Sequence, residues 1–148
     1  MWAPLETNTH QDHVIAHVIG ATPLGNFVWD ETAYVLLDIG FIWIIYLDLQ
    51  MGLVPHPVAI TELEVDDTLK NELRSDVDRL LRGDTELNRM KPVNEPSPIL
   101  SVELFESENV RRLSLVCEER NILIETSLST GDVRMTWSVH KEHKRTQD

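Results

Sequence analysis

Tyr34–Leu53, YVLLDIGFIWIIYLDLQMGL, is the most apolar stretch of the chain, and the fold turns on how it is read. Gly40 divides it. Before the glycine, Asp30-Glu31-Thr32-Ala33 reads as a helix start with Asp30 as the cap, and Gly40 sits where a helix stops in the left-handed conformation. This predicts a short helix over Glu31–Ile39 with Ala33, Leu36 and Leu37 facing inward. After the glycine, Phe41–Leu49 is rich in aromatic and branched residues and reads as a strand. One face would carry Phe41, Trp43, Ile45 and Leu47, the other Ile42, Ile44 and Tyr46. Both faces are apolar, so both need covering.

On the N-terminal side, His13–Ile19, HVIAHVI, reads as a second strand with apolar residues on both faces. Gly20–Asn26 reads as a loop, and Met1–Gln11 as a loose or edge-packed terminus. Strand, loop, helix and strand in that order suggest a right-handed crossover between parallel neighbours. On the C-terminal side, Gln50-Met51-Gly52 is a tight turn into Leu53–Ile60. Pro55 and Pro57 share parity there and remove two donors from one flank, which places that strand at a sheet edge. Leu69, Leu73, Val77, Leu80 and Leu81 then form the apolar stripe of a helix over Asp66–Arg82, capped by Asp66 or Asp67 and ended by Gly83. Residues 84–98, with three prolines, read as a linker. From Ile99 the pattern changes to four short alternating strands, an antiparallel meander with turns near Glu106–Asn109, Glu118–Asn121 and Ser129–Asp132. Residues 141–148 form a charged, mobile tail.

The expectation is one domain of the α+β class, with a mixed, mostly antiparallel sheet of about seven strands and two helices packed on one face. Residues 1–83 make a strand-helix-strand-strand-helix half and residues 99–140 the meander. The helix Asp66–Arg82 would cover the meander. The second apolar face of the early strands would be closed either by folding over the meander or by a second subunit, so a homodimer is expected.

Composition bounds the partners. Hydrophobic residues make up 42% of the 148 residues and charged residues 26%, as in an ordinary folded domain. The formal net charge is −12: residues 1–69 hold ten acids and no Lys or Arg, and residues 70–148 hold fifteen acids and thirteen bases. Repulsion of phosphates argues against nucleic acid and anionic membranes, whereas a basic protein would be attracted. The apolar run Ile39–Leu47 is far short of a membrane span, and residues 1–13 lack the marks of a signal peptide. A single cysteine, Cys117, fits a reducing, cytoplasmic setting.

Six histidines stand above background. His10, His13 and His17 are spaced so that a helix would bring their imidazoles to one face as metal ligands, whereas a strand would align only His13 and His17. A further ligand would come from Asp48, His56, Cys117 or His140. The same histidines among ten acids suggest association that changes between about pH 5 and 7. No motif calls for a cofactor, and nucleophilic catalysis has little support, since Cys117 lies at core parity. The leading expectation is a non-catalytic cytoplasmic protein-interaction or oligomerising domain with an acidic, apolar-rich N-terminal half. The alternative is a small-molecule or metal-binding domain, or an enzyme, with a pocket ringed by His17, Trp29 and Asp48.

Overall fold

The computed structural model describes residues 2–47, 52–53 and 58–139. Within them the chain forms β1 (Ala3–Leu5), α1 (Thr9–Ala16), β2 (Pro23–Trp29), β3 (Thr32–Leu37), β4 (Ile42–Tyr46) and β5 (Gly52–Leu53). Then come α2 (Asp67–Leu81), β6 (Lys91–Pro92), β7 (Ile99–Ser107), β8 (Val110–Cys117), β9 (Arg120–Ser127) and β10 (Val133–Val139). The α+β class holds, but the strands form two sheets rather than one. A meander sheet has the order β1-β7-β8-β9-β10, and a central sheet has the order β5-β4-β3-β2-β6. Every strand pair in both is antiparallel, so the expected parallel crossover is absent.

The expected helix over Glu31–Ile39 is strand β3. Asp30 and Glu31 both take positive φ, 51° and 59°, and close a tight hairpin between Trp29 and Thr32. Two left-handed residues in succession match the twist of the flanking strands, but the usual residues for that turn are Asn and Gly. Asp-Glu resembles a helix cap more than such a turn, so the sequence pointed the wrong way. At Gly40 the φ of 87° belongs to the next reversal, between β3 and β4, and not to a helix end.

The converse holds at His13–Ile19, expected as a strand. Asn8 accepts from Gln11 N at 2.7 Å, and Gln11 Oε1 accepts from Asn8 N at 3.1 Å, a reciprocal cap that starts α1. Val14 and Val18 are spaced by four and enter the core together. Gly20–Asn26, expected as a loop, holds most of β2. Its Gly25 leaves room for α2: a Cβ there would lie 2.5 Å from Leu80 Cδ1, so the leucine would have to shift.

Three layers result, and they answer the question left by the two-faced strands. Trp43, Ile45 and Leu47 pack with Ala33, Val35, Leu37, Val14 and Val18 against the inner face of the meander, at Val102, Leu104, Leu113, Leu115, Ile122 and Ile124. On its other side, the central sheet buries Phe27, Tyr34, Leu36 and Ile42 against Leu69, Leu73, Val77 and Leu80 of α2. The helix therefore covers the central sheet, not the meander, and the central sheet covers the meander. Over residues 41–47 both faces pack within the chain, although Phe41 and Tyr46 are exposed.

Several expectations stand. Asp66 caps α2, accepting from Leu69 N at 2.8 Å, and Gly83 follows its end with φ 84°. The four meander strands and their turns fall where expected, except that a register shift between Ile99 and Ser101 buries Ile99 and leaves Leu100 54% exposed. Of the expected edge strand Leu53–Ile60, Leu53 belongs to β5 (Gly52–Leu53) at a sheet edge, Ile60 opens a 3-10 turn (Ile60–Glu62), and Pro55 and Pro57 lie outside the described residues. The 84–98 stretch is not a bare linker, since it contributes β6 and buries Met90 and Val93. Among the described residues, no helix is long and apolar enough to cross a membrane.

Candidate functional site

Asp76 lies on the apolar stripe of α2, three residues after Leu73 and four before Leu80, and is fully buried (0% exposed). Its carboxylate accepts from the main-chain N–H of Asn88 at 2.7 Å, Arg89 at 2.7 Å and Met90 at 2.9 Å. Three backbone donors satisfy the buried charge without a side-chain cation. The clamp pins this loop to the helix and directs Met90 into the helix-side core. The chain then enters β6 with Lys91 opposite Asn26 of β2. Opposed residues of an antiparallel pair share a face. Asn26 also opposes Val35, so that face is the one turned toward the meander.

Beyond β2 and β6, the edge strand of the meander is β10. Between them lies a groove of about 490 Å³, lined by Asn26, Val28, Arg89, Lys91, Arg134 and Trp137 among others. Its described lining contains three cationic side chains and no carboxylate, the reverse of the chain's overall charge. Arg89 is committed to Glu72 at 2.9 Å. Lys91 and Arg134 have no ion-pair partner among the described residues. Glu125, which opposes Arg134, is held by Arg112 Nε at 2.6 Å instead. Asn26 is 3% exposed, and its Nδ2 has no hydrogen-bond acceptor. Trp137 shares inward parity with Met135 but is 37% exposed where the groove opens beside it. Such a surface offers donors, positive charge and an aromatic face.

β10 also presents main chain. Ser127 N donates to Asp132 O at 3.0 Å and sets the phase of the β9–β10 ladder. Bonded pairs alternate along an antiparallel ladder, so Arg134 and Thr136 bond to β9, and Val133, Met135 and Trp137 turn their N–H and C=O groups away from it. Among the described residues no strand pairs on that flank.

The residues singled out from the sequence lie elsewhere. His10 and His13 are on α1 and His17 caps its end; all three are exposed, with Gln11 and Val14 on the buried side. Helical spacing places the three along one side, yet no group of three His, Cys, Asp or Glu among the described residues could hold a metal ion. His17 ends α1 ahead of β2, and Trp29 is the last residue of β2, six positions after its first residue Pro23. Asp48, His56 and His140 lie outside the described residues. Cys117 is buried in the inter-sheet core, and burial pushes its thiol up to about 11, which leaves it a packing residue at neutral pH.

Sequence reasoning missed Asp76, Asn26 and Lys91. A signal for Asp76 was present: a carboxylate inside an apolar helical stripe needs buried donors. Asn26 and Lys91 gave none, because only strand pairing places them side by side. Compared with protein families, curated proteins and solved structures, the chain matches none.

Proposed function

We propose that the chain is a non-catalytic protein-interaction domain that receives an extended, acidic segment of a different protein along β10. The observation that carries this reading is β10 itself: a seven-residue edge strand with the N–H and C=O groups of Val133, Met135 and Trp137 turned toward a groove. A strand added there gains main-chain hydrogen bonds, and its alternate side chains enter the groove. Charge complementarity selects the occupant, since the groove is cationic on an otherwise acidic molecule. A second copy of β10 would bring Arg134 and Lys91 against the same cations, which disfavours a homodimer through this edge. A basic partner would have to use the acidic surface elsewhere. The meander packs on one face of the central sheet and α2 on the other, so this reading does not draw on a second subunit to cover them.

A display library of random heptapeptides tests the reading. Selected peptides should alternate acidic and apolar residues. Their binding should slow hydrogen exchange at Val133, Met135 and Trp137 but not at exposed amides of α2. Met135→Pro removes an outward N–H without breaking a bond to β9 and should abolish the protection while the fold survives; Val133→Pro, at the strand's first residue, is the second test. Peptides that bind without protecting these amides, or a dimer dissociated by Met135→Pro, would overturn it.

A further inference from the structure

We infer that the groove between β6 and β10 is a carboxylate-binding site, with Asn26, Lys91 and Arg134 as its donors and Trp137 against the body of the ligand. The inference stands on the groove and does not require a strand on β10. Asn26 Nδ2 is the central observation. A buried amide N–H without an acceptor costs free energy, and such a group in a folded protein calls for a partner. The other unpartnered buried atoms among the described residues are of a different kind. Trp43 Nε1 lies within the inter-sheet core, and Arg111 and Arg120 bond through their other nitrogens. Asn26, by contrast, lines a groove large enough for a ligand.

The surroundings define what that ligand is. Lys91 stands directly opposite Asn26, and Arg134, of opposite parity to Met135 and Trp137, borders the groove at the β10 edge, where the carboxylate across from it, Glu125, is held by Arg112. Two uncommitted cations and one buried N–H donor match an oxygen anion, and a neutral ligand would leave both charges unused. The field of a molecule with net charge −12 opposes multiply charged ions, so a single carboxylate is favoured over a phosphate. Val28, Met135 and Trp137 supply the apolar wall for the group that carries it. The carboxylate has two sources: a free small acid, or an Asp or Glu side chain of a segment seated on β10.

Benzoate and a capped heptapeptide of alternating Glu and Val separate the sources, with ¹⁵N-resolved NMR following the Asn26 side-chain amide and the Trp137 indole. Benzoate should shift both signals saturably, and neutral benzamide should not. Lys91→Gln and Arg134→Gln, both at exposed positions, should each weaken binding about tenfold, whereas Arg74→Gln on α2 should leave it unchanged. Asn26→Leu should remove the response if it folds; the two exposed variants carry the test if it does not. Equal shifts with benzamide, absence of saturation, or full binding in Lys91→Gln and Arg134→Gln would overturn the inference. Benzoate binding without peptide binding would keep the site and count against strand addition. Peptide protection of β10 that ignores these variants, without benzoate binding, would keep strand addition and overturn the site.

Discussion

Asp76 shows how one side chain joins the core to the groove. Its three backbone donors lie in the loop that carries Arg89 and Lys91, so removing the carboxylate strands buried N–H groups and releases that loop together. Asp76→Ala should cost about 3 kcal/mol or more in urea unfolding, and it should weaken any ligand of the groove even where the fold survives. Cys117 gives a prediction in pH. Its thiol ionises near 11 in the folded chain, above its ordinary value of 9.0, because burial disfavours the thiolate. The unfolded chain therefore loses its proton first. The stability that the buried thiol contributes is present below pH 9 and is lost as pH rises toward 11. Tyr34 adds to the same trend, raised by burial and then by the charges of Asp30 and Glu64. Urea midpoints should hold steady up to about pH 9 and then fall, and Cys117→Ala should fall less steeply. None of this was visible from composition. An aspartate's burial and a thiol's surroundings depend on what packs against them.

At the scale of elements, the two errors near the N terminus have one cause. Both segments carry branched and apolar residues that suit either helix or strand, and short-range propensity is a weak prior when tertiary contacts decide. Asn8 and Gln11 tip one toward a helix; the Asp30-Glu31 turn tips the other toward a hairpin, at the cost of two positive φ angles. Replacing Asp30-Glu31 by Asn-Gly should relieve that cost and raise stability by about 1 kcal/mol, measurable as a higher melting temperature. A lower melting temperature would show that the Glu31 side chain, which packs over Gly131, contributes more than the strain removes. In contrast, α2 and the meander were readable at once. A stripe spaced by three and four, and strict alternation between turn residues, each leave one interpretation.

For the whole molecule, the central sheet is the layer shared by both cores. Trp43 and Ile45 are buried from one side by the meander, and Ile42 and Leu36 from the other by α2. Ile45→Asp places an unpaired charge in the inter-sheet core and should prevent folding, seen as loss of the cooperative transition in circular dichroism. An unchanged melt would mean that the two sheets do not share that core. Sequence alone was enough for the α+β class, the amphipathic helix α2, the four meander strands and the need to cover both faces of Phe41–Leu49, because hydrophobic periodicity is written locally. Only the tertiary structure decided that these strands form two stacked sheets and that α2 covers the central one. It alone set Asn26 beside Lys91 and across from β10. Strand pairing and layer order join residues far apart in the chain, and no local pattern records which distant partner each one meets.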